Sequence, residues 1–155
     1  MFFLFLACGT TASFQSTAPV EQSTIISSNV SSLMSLLSAR DSQIDCTQLP
    51  TEELQTQLVS IVETIERPPW VPMRAATCLT ELYPTESQEE LLRWIATPEK
   101  KGLAFLIAGQ IPKLPDEIAI NVARAGLQGP HAQEIRLRIT KQNDPRLAPL
   151  LEIIP

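Results

Sequence analysis

The chain has 155 residues and a formal net charge of −5, with hydrophobic residues at 44% and aromatics at 5%. That length accommodates one domain and a tail, because an apolar core of ordinary size needs on the order of 100 residues. The acidic balance argues against a nucleic-acid binder, which needs a basic surface to displace counterions from phosphates, and a core poor in aromatics must be built from Leu, Ile, Val and Ala, the habit of close-packed helices.

The chain opens on MFFLFLAC, an apolar run too short to span a bilayer as a helix and closing on small residues. Leu6, Ala7 and Cys8 resemble the lipobox of bacterial lipoproteins. No Lys or Arg precedes the run, and Phe5 stands where that family usually has Leu. The resemblance implies that Cys8 receives a lipid and anchors the chain at the periplasmic face of an envelope membrane. A cleaved export signal and a cytosolic N-terminus are the alternatives. Residues 9–45 are rich in Ser, Thr and Gln and read as a flexible linker. Within it the stretch from Ile25 has the spacing of a weak helix, lowered in propensity by its serines.

The folded domain is expected over 46–155. With Cys8 assigned to lipid, Cys46 and Cys78 remain as a disulfide candidate in an exported chain. The other reading of Cys78 is a buried thiol on the apolar face of its helix.

From Thr51 to Glu66, Leu54, Leu58, Ile61, Val62 and Ile65 recur at intervals of three and four, a one-faced helix ended by Pro68 and Pro69. A second helix is predicted from Pro72 to Tyr83, with Ala75, Cys78, Leu79 and Leu82 on one stripe. After Pro84, Ser87 and Glu90 have the spacing of a capping box, and Leu91, Leu92 and Ile95 face inward as far as Thr97. The pattern then recurs. Leu103, Leu106 and Ile107 are followed by Pro112 and Pro115, then by Ile118, Val122 and Ala125. Ile135 and Ile139 are followed by Asp144 and Pro145, then by Leu147, Leu150 and Leu151. The turn prolines Pro84, Pro115 and Pro145 are spaced by 31 and 30 residues, a period that marks stacked helical pairs.

Pro72, Arg74, Ala75, Ala76 and Leu79, and after them Ala104 and Ile107, resemble the HEAT-like repeat family. The likeness covers about 50–155 and implies an all-α, short α-solenoid of about three HEAT-like hairpins. A generic helical bundle is the alternative. Arg136 departs from the pattern where a small Ala is usual, as a terminal repeat facing water would. In such arrays the second helices line the concave face, so the resemblance implies a protein-binding surface at Gln88, Glu89, Arg93, Asp116, Asn121 and Arg124. Trp70, behind two prolines, either staples the preceding helix or joins that surface.

No phosphate-binding glycine loop, GxSxG, HExxH or CxxC motif is present, and His131 is the single histidine. Its place after Gly129 and Pro130 suits a helix start rather than catalysis. Glu89 and Glu90 are adjacent on a helix, so they point apart and do not form an acid/base pair. The expectation is a non-enzymatic envelope lipoprotein that binds or scaffolds a protein partner, without metal or cofactor. The alternatives are a lyase-like or enzyme-accessory HEAT protein and a structural domain without a ligand. The charge divides into −7 over 1–97 and +2 over 98–155, which solvated helix faces of alternating sign would produce.

Overall fold

The computed structural model describes residues 31–39, 44–50 and 53–154; Cys8 and the rest of 1–30 lie outside the described residues. Eight helices follow one another, and no strand occurs among the described residues. They are α1 (residues 31–38), α2 (Leu54–Thr64), α3 (Trp70–Leu82), α4 (Gln88–Ile95), α5 (Lys101–Gln110), α6 (Asp116–Gln128), α7 (Ala132–Gln142) and α8 (Ala148–Ile153). One continuous apolar cluster runs through all of them.

Helix α1 corrects part of the expected linker. Its Leu33 and Leu37, one turn apart, are fully buried in the core, while Ser31, Ser32 and Ser35 face solvent. The serines lower helix propensity, but two buried leucines outweigh that cost, each contributing roughly 1.5–3 kcal/mol by transfer from water. Two side chains from α3 hold its C-terminal carbonyls. Trp70 Nε1 donates to Ser38 O at 3.4 Å, and Arg74 donates to Leu37 O at 3.1 Å and to Ala39 O.

The later helices follow the apolar stripes closely. Leu54, Leu58, Ile61 and Val62 are the buried face of α2. Helix α3 begins two residues earlier than the prolines suggest, at Trp70, which leaves Pro72 in the first turn, where its missing N–H has no intrahelical partner to lose. The capping box of α4 does not form: Ser87 has φ −103° and ψ 13°, not the extended backbone a capping side chain requires, and its hydroxyl is buried without a hydrogen-bond partner. Short 3₁₀ turns at Cys46–Gln48, Ile111–Lys113 and Pro145–Leu147 connect the helices on one side. Gly126 in α6 lets α4 and α7 close in, since a Cβ there would sit 2.8 Å from Ile95 Cδ1 and 3.2 Å from Ile135 Cγ2.

Packing joins the consecutive pairs α2–α3, α4–α5 and α6–α7, and it joins alternate helices as well. α3 meets α5 and α5 meets α7; on the other side α4 meets α6 and α6 meets α8. Several of the ties between distant segments have similar sequence offsets. Trp94 to Glu63 spans 31 residues, Glu81 to Lys113 spans 32, Lys101 to Glu134 and His131 to Pro98 span 33, and Cys46 to Cys78 spans 32.

Candidate functional site

The Cys46–Cys78 disulfide forms, with Cα atoms 5.3 Å apart, and joins the first 3₁₀ turn to the buried side of α3. Both cysteines are buried, so the sulfur that closes the loop also fills core volume.

The concave-face residues implied by the repeat resemblance are distributed over α4 and α6, and several are already engaged within the chain. Arg93 Nη2 lies 2.8 Å from Glu63 Oε1, and Asp116 Oδ1 lies 2.7 Å from Arg146 Nη1. Arg124 donates to Asn121 Oδ1 at 3.2 Å within α6. Gln88 is half-buried, and Glu89 is exposed without an ion pair among the described residues. Trp70 lies half-buried against the core, and its indole N–H donates to Ser38 O of α1 rather than to the preceding helix α2. His131 precedes α7, and its Nε2 lies 3.1 Å from Pro98 O, so the protonated nitrogen donates to that carbonyl and ties two inter-helix turns.

Sequence reasoning missed a polar constellation around Glu63. Glu63, near the end of α2, receives the Trp94 indole N–H on Oε1, beside Arg93, and the Lys100 ammonium at 2.9 Å on Oε2. Lys100 also lies 5.7 Å from the centroid of the Trp94 ring and 3.4 Å from Val62 O. Burial alone would raise the Glu63 pKa. The hydrogen bonds from Trp94 and Lys100 and the charges of Lys100 and Arg93 outweigh it, and the carboxyl is held below its usual range. The sequence signal was a Trp and a Glu one repeat apart.

Lys100 and Glu63 form one wall of a groove between the end of α2 and the starts of α3 and α5, with a volume of about 400 Å³. Val62, Ile65, Pro72, Met73 and Leu103 make an apolar floor. Glu66 and Glu99 stand on its rim, both exposed and neither in an ion pair among the described residues. The floor depends on Gly102: a Cβ there would come 3.0 Å from Met73 Cε. A second hollow, lined by Glu66, Arg67, Pro68 and Pro69, adjoins the groove at Glu66 and Pro69. The volume of the groove lies within the range of clefts that hold ligands, and its lining is apolar with a few charged groups.

A second surface lies on α5 and α7. Leu137 is 63% exposed beside Phe105, Arg138 and Lys141, while Lys101 pairs with Glu134 at 2.7 Å. Among the described residues no group of three or more His, Cys, Asp or Glu is placed to hold a metal ion, and no helix is long and apolar enough to cross a membrane. Compared with known proteins, the chain matches no family model, no curated protein and no solved structure.

Proposed function

We propose that this chain is a protein-binding module, a short α-solenoid of HEAT-like hairpins held at the periplasmic face of a bacterial envelope membrane by a lipid on Cys8. The observation that carries the solenoid is the pairing of alternate helices with ties between residues 31 to 33 positions apart. That order repeats one supersecondary unit, and each unit covers the apolar flank of the next. Stacked arrays of this kind present a continuous surface to a partner. The exposed groups of α4 and α6, Glu89 and Arg124 foremost, supply its polar contacts.

The anchor reading rests on Leu6, Ala7 and Cys8 and on the disulfide, which suits an oxidising compartment. Two experiments test the whole. Intact mass of protein extracted from membranes should show a diacylglycerol adduct on Cys8, and Cys8→Ala should move the protein to the soluble fraction; an unmodified Cys8 ends the anchor. A photo-crosslinking side chain at Arg124 and another at Glu89 should capture one and the same protein in intact cells, with none captured from Lys113 on the turn side. Different captures from the two positions would end the binding surface.

A further inference from the structure

We infer that the groove between α2, α3 and α5 receives an extended peptide segment in which a basic side chain neighbours aliphatic ones. The inference rests on the binding-module reading and names the chemistry of the partner.

Charge decides the class of occupant. The groove is lined by three carboxylates, Glu63, Glu66 and Glu99, against one ammonium, Lys100, and that ammonium is already held by Glu63 and by Val62 O; Arg67 lines only the adjoining hollow. Glu66 and Glu99 have no cation of their own among the described residues. A phosphate of a lipid headgroup or nucleic acid would be repelled from this rim, whereas Lys or Arg would be drawn to it. The Lys100 contact shows the preference of this wall: a cation whose methylene stem crosses apolar surface while its head meets a carboxylate and the face of Trp94.

Apolar matching decides the rest. Val62 is 5% exposed and Leu103 is 9% exposed, so the base is closed by packed side chains, while Met73 above it is only partly buried. Met adapts its unbranched chain to irregular partners and is well suited to line such a floor. At Glu66 and Pro69 the groove adjoins a second hollow, which leaves room for the segment to extend past Pro68. In an extended segment alternate side chains point the same way, which lets aliphatic groups reach the floor while basic ones turn to Glu66 and Glu99.

The test titrates ¹⁵N-labelled full-length protein with a synthetic nonapeptide, acetyl-GLRLRLRLG-amide, and with its counterpart carrying Glu in place of Arg. The expected result is saturable amide shifts confined to residues 62–73 and 99–103, an affinity at least fivefold weaker at 300 mM than at 50 mM salt, and no response to the Glu peptide. The E66K/E99K double variant, altered at two exposed positions, should bind at least tenfold more weakly with an unchanged melting midpoint. Gly102→Leu, which projects a side chain over the floor, should weaken binding to a similar degree without reversing any charge. Equal affinity in E66K/E99K, shifts centred on α4 and α6, or equal binding of the Glu peptide would each overturn the proposal. So would sedimentation showing that the protein alone self-associates and that Leu137→Ser abolishes this, because the groove would then belong to the Leu137, Arg138 and Lys141 face of a second copy. Failure here leaves captures at Arg124 and Glu89 unaffected, so the two readings fall separately.

Discussion

The same turn is built at both ends of the molecule and locked by different chemistry. Near the start, Asp45 caps the Cys46–Gln48 turn by accepting from Thr47 N at 3.0 Å; near the end, Asp144 caps the Pro145–Leu147 turn by accepting from Arg146 N at 3.1 Å. The first turn is joined to the next unit by the covalent Cys46–Cys78 bond. The last is joined to the preceding unit by one guanidinium. Arg146 donates to Leu114 O at 3.0 Å, Pro112 O at 3.1 Å and Asp116 Oδ1 at 2.7 Å, and to Asp144 at 2.6 Å. Each turn is thus held to a distant helix or turn by a specific tie in addition to apolar packing. The covalent tie is indifferent to salt and pH but sensitive to reductant, and the ionic one has the opposite sensitivities.

The largest effect is expected from the covalent end. Replacing both Cys46 and Cys78 by Ala opens a loop of 32-residue separation and should lower unfolding free energy by about 3–4 kcal/mol on the chain-entropy account. Urea denaturation of the double variant and of the reduced wild type should agree; a loss below about 1 kcal/mol in both would mean that α1 and its turn are held by packing alone. Leu37→Ala comes next. Leu37 is fully buried, and its truncation should cost about 3 kcal/mol, within the 2–5 kcal/mol usual for core leucines. Hydrogen exchange at residues 33–38 reads the same contact locally.

At the ionic end, Arg146→Ala should cost about 2 kcal/mol, because several charge-assisted bonds vanish and the Asp144 carboxylate, 7% exposed, loses its partner. Arg146→Lys should recover only part of this, since an ammonium lacks the planar fork that reaches two carbonyls and two carboxylates together. The pH dependence has a definite sign. Hydrogen bonding by the Arg146 side chain, foremost, holds the Asp144 carboxyl below its usual range against a smaller opposing effect of burial. A depressed folded pKa gives stability that is fully present above the unfolded value of about 3.9 and is lost as pH falls through the folded pKa. Between pH 5 and pH 2.5 the wild type should therefore lose stability more steeply than Asp144→Asn, which keeps the capping oxygen but not the charge. Parallel curves would show that the carboxylate acts only as a cap.

Much of this architecture was legible in the sequence, and the parts that were not share a cause. The stripes of α2 to α8 could be read because Leu, Ile and Val recur on one face, and Pro84, Pro115 and Pro145 mark turns between helices. Helix α1 could be read only as a weak helix within the linker, because SSLMSLLS supplies only Leu33, Met34 and Leu37 to its inner side and its serines lower helix propensity. Its partners, Trp70 and Arg74, are distant in sequence, so only the folded chain reveals that they cap it. Arg136 shows the converse. Its position in the repeat suggested an outer face meeting water, yet it is half-buried and donates to Leu151 O at 2.9 Å and to Ile154 O, satisfying carbonyls at the end of α8. A charged residue at an apolar position meant a helix end to be satisfied, and periodicity alone does not carry that information. The groove was invisible for a similar reason, since its floor draws on three helices.

The smallest expected effect tests how tightly that floor is packed. Gly102 is the second residue of α5 and takes no positive φ, so Ala is permitted there, and removing glycine's backbone freedom favours the helix by up to about 1 kcal/mol. Against this, the new Cβ would lie 3.0 Å from Met73 Cε, and the methyl group must move by a few tenths of an ångström. Met73 is half-buried with a flexible end facing open groove, so it can yield at little cost. Gly102→Ala should then stabilise by about 0.5 kcal/mol, read as a small rise in the thermal midpoint. A fall instead would mean that Met73 is pinned in its place, and a floor so rigid could not adapt to the side chains of an incoming peptide.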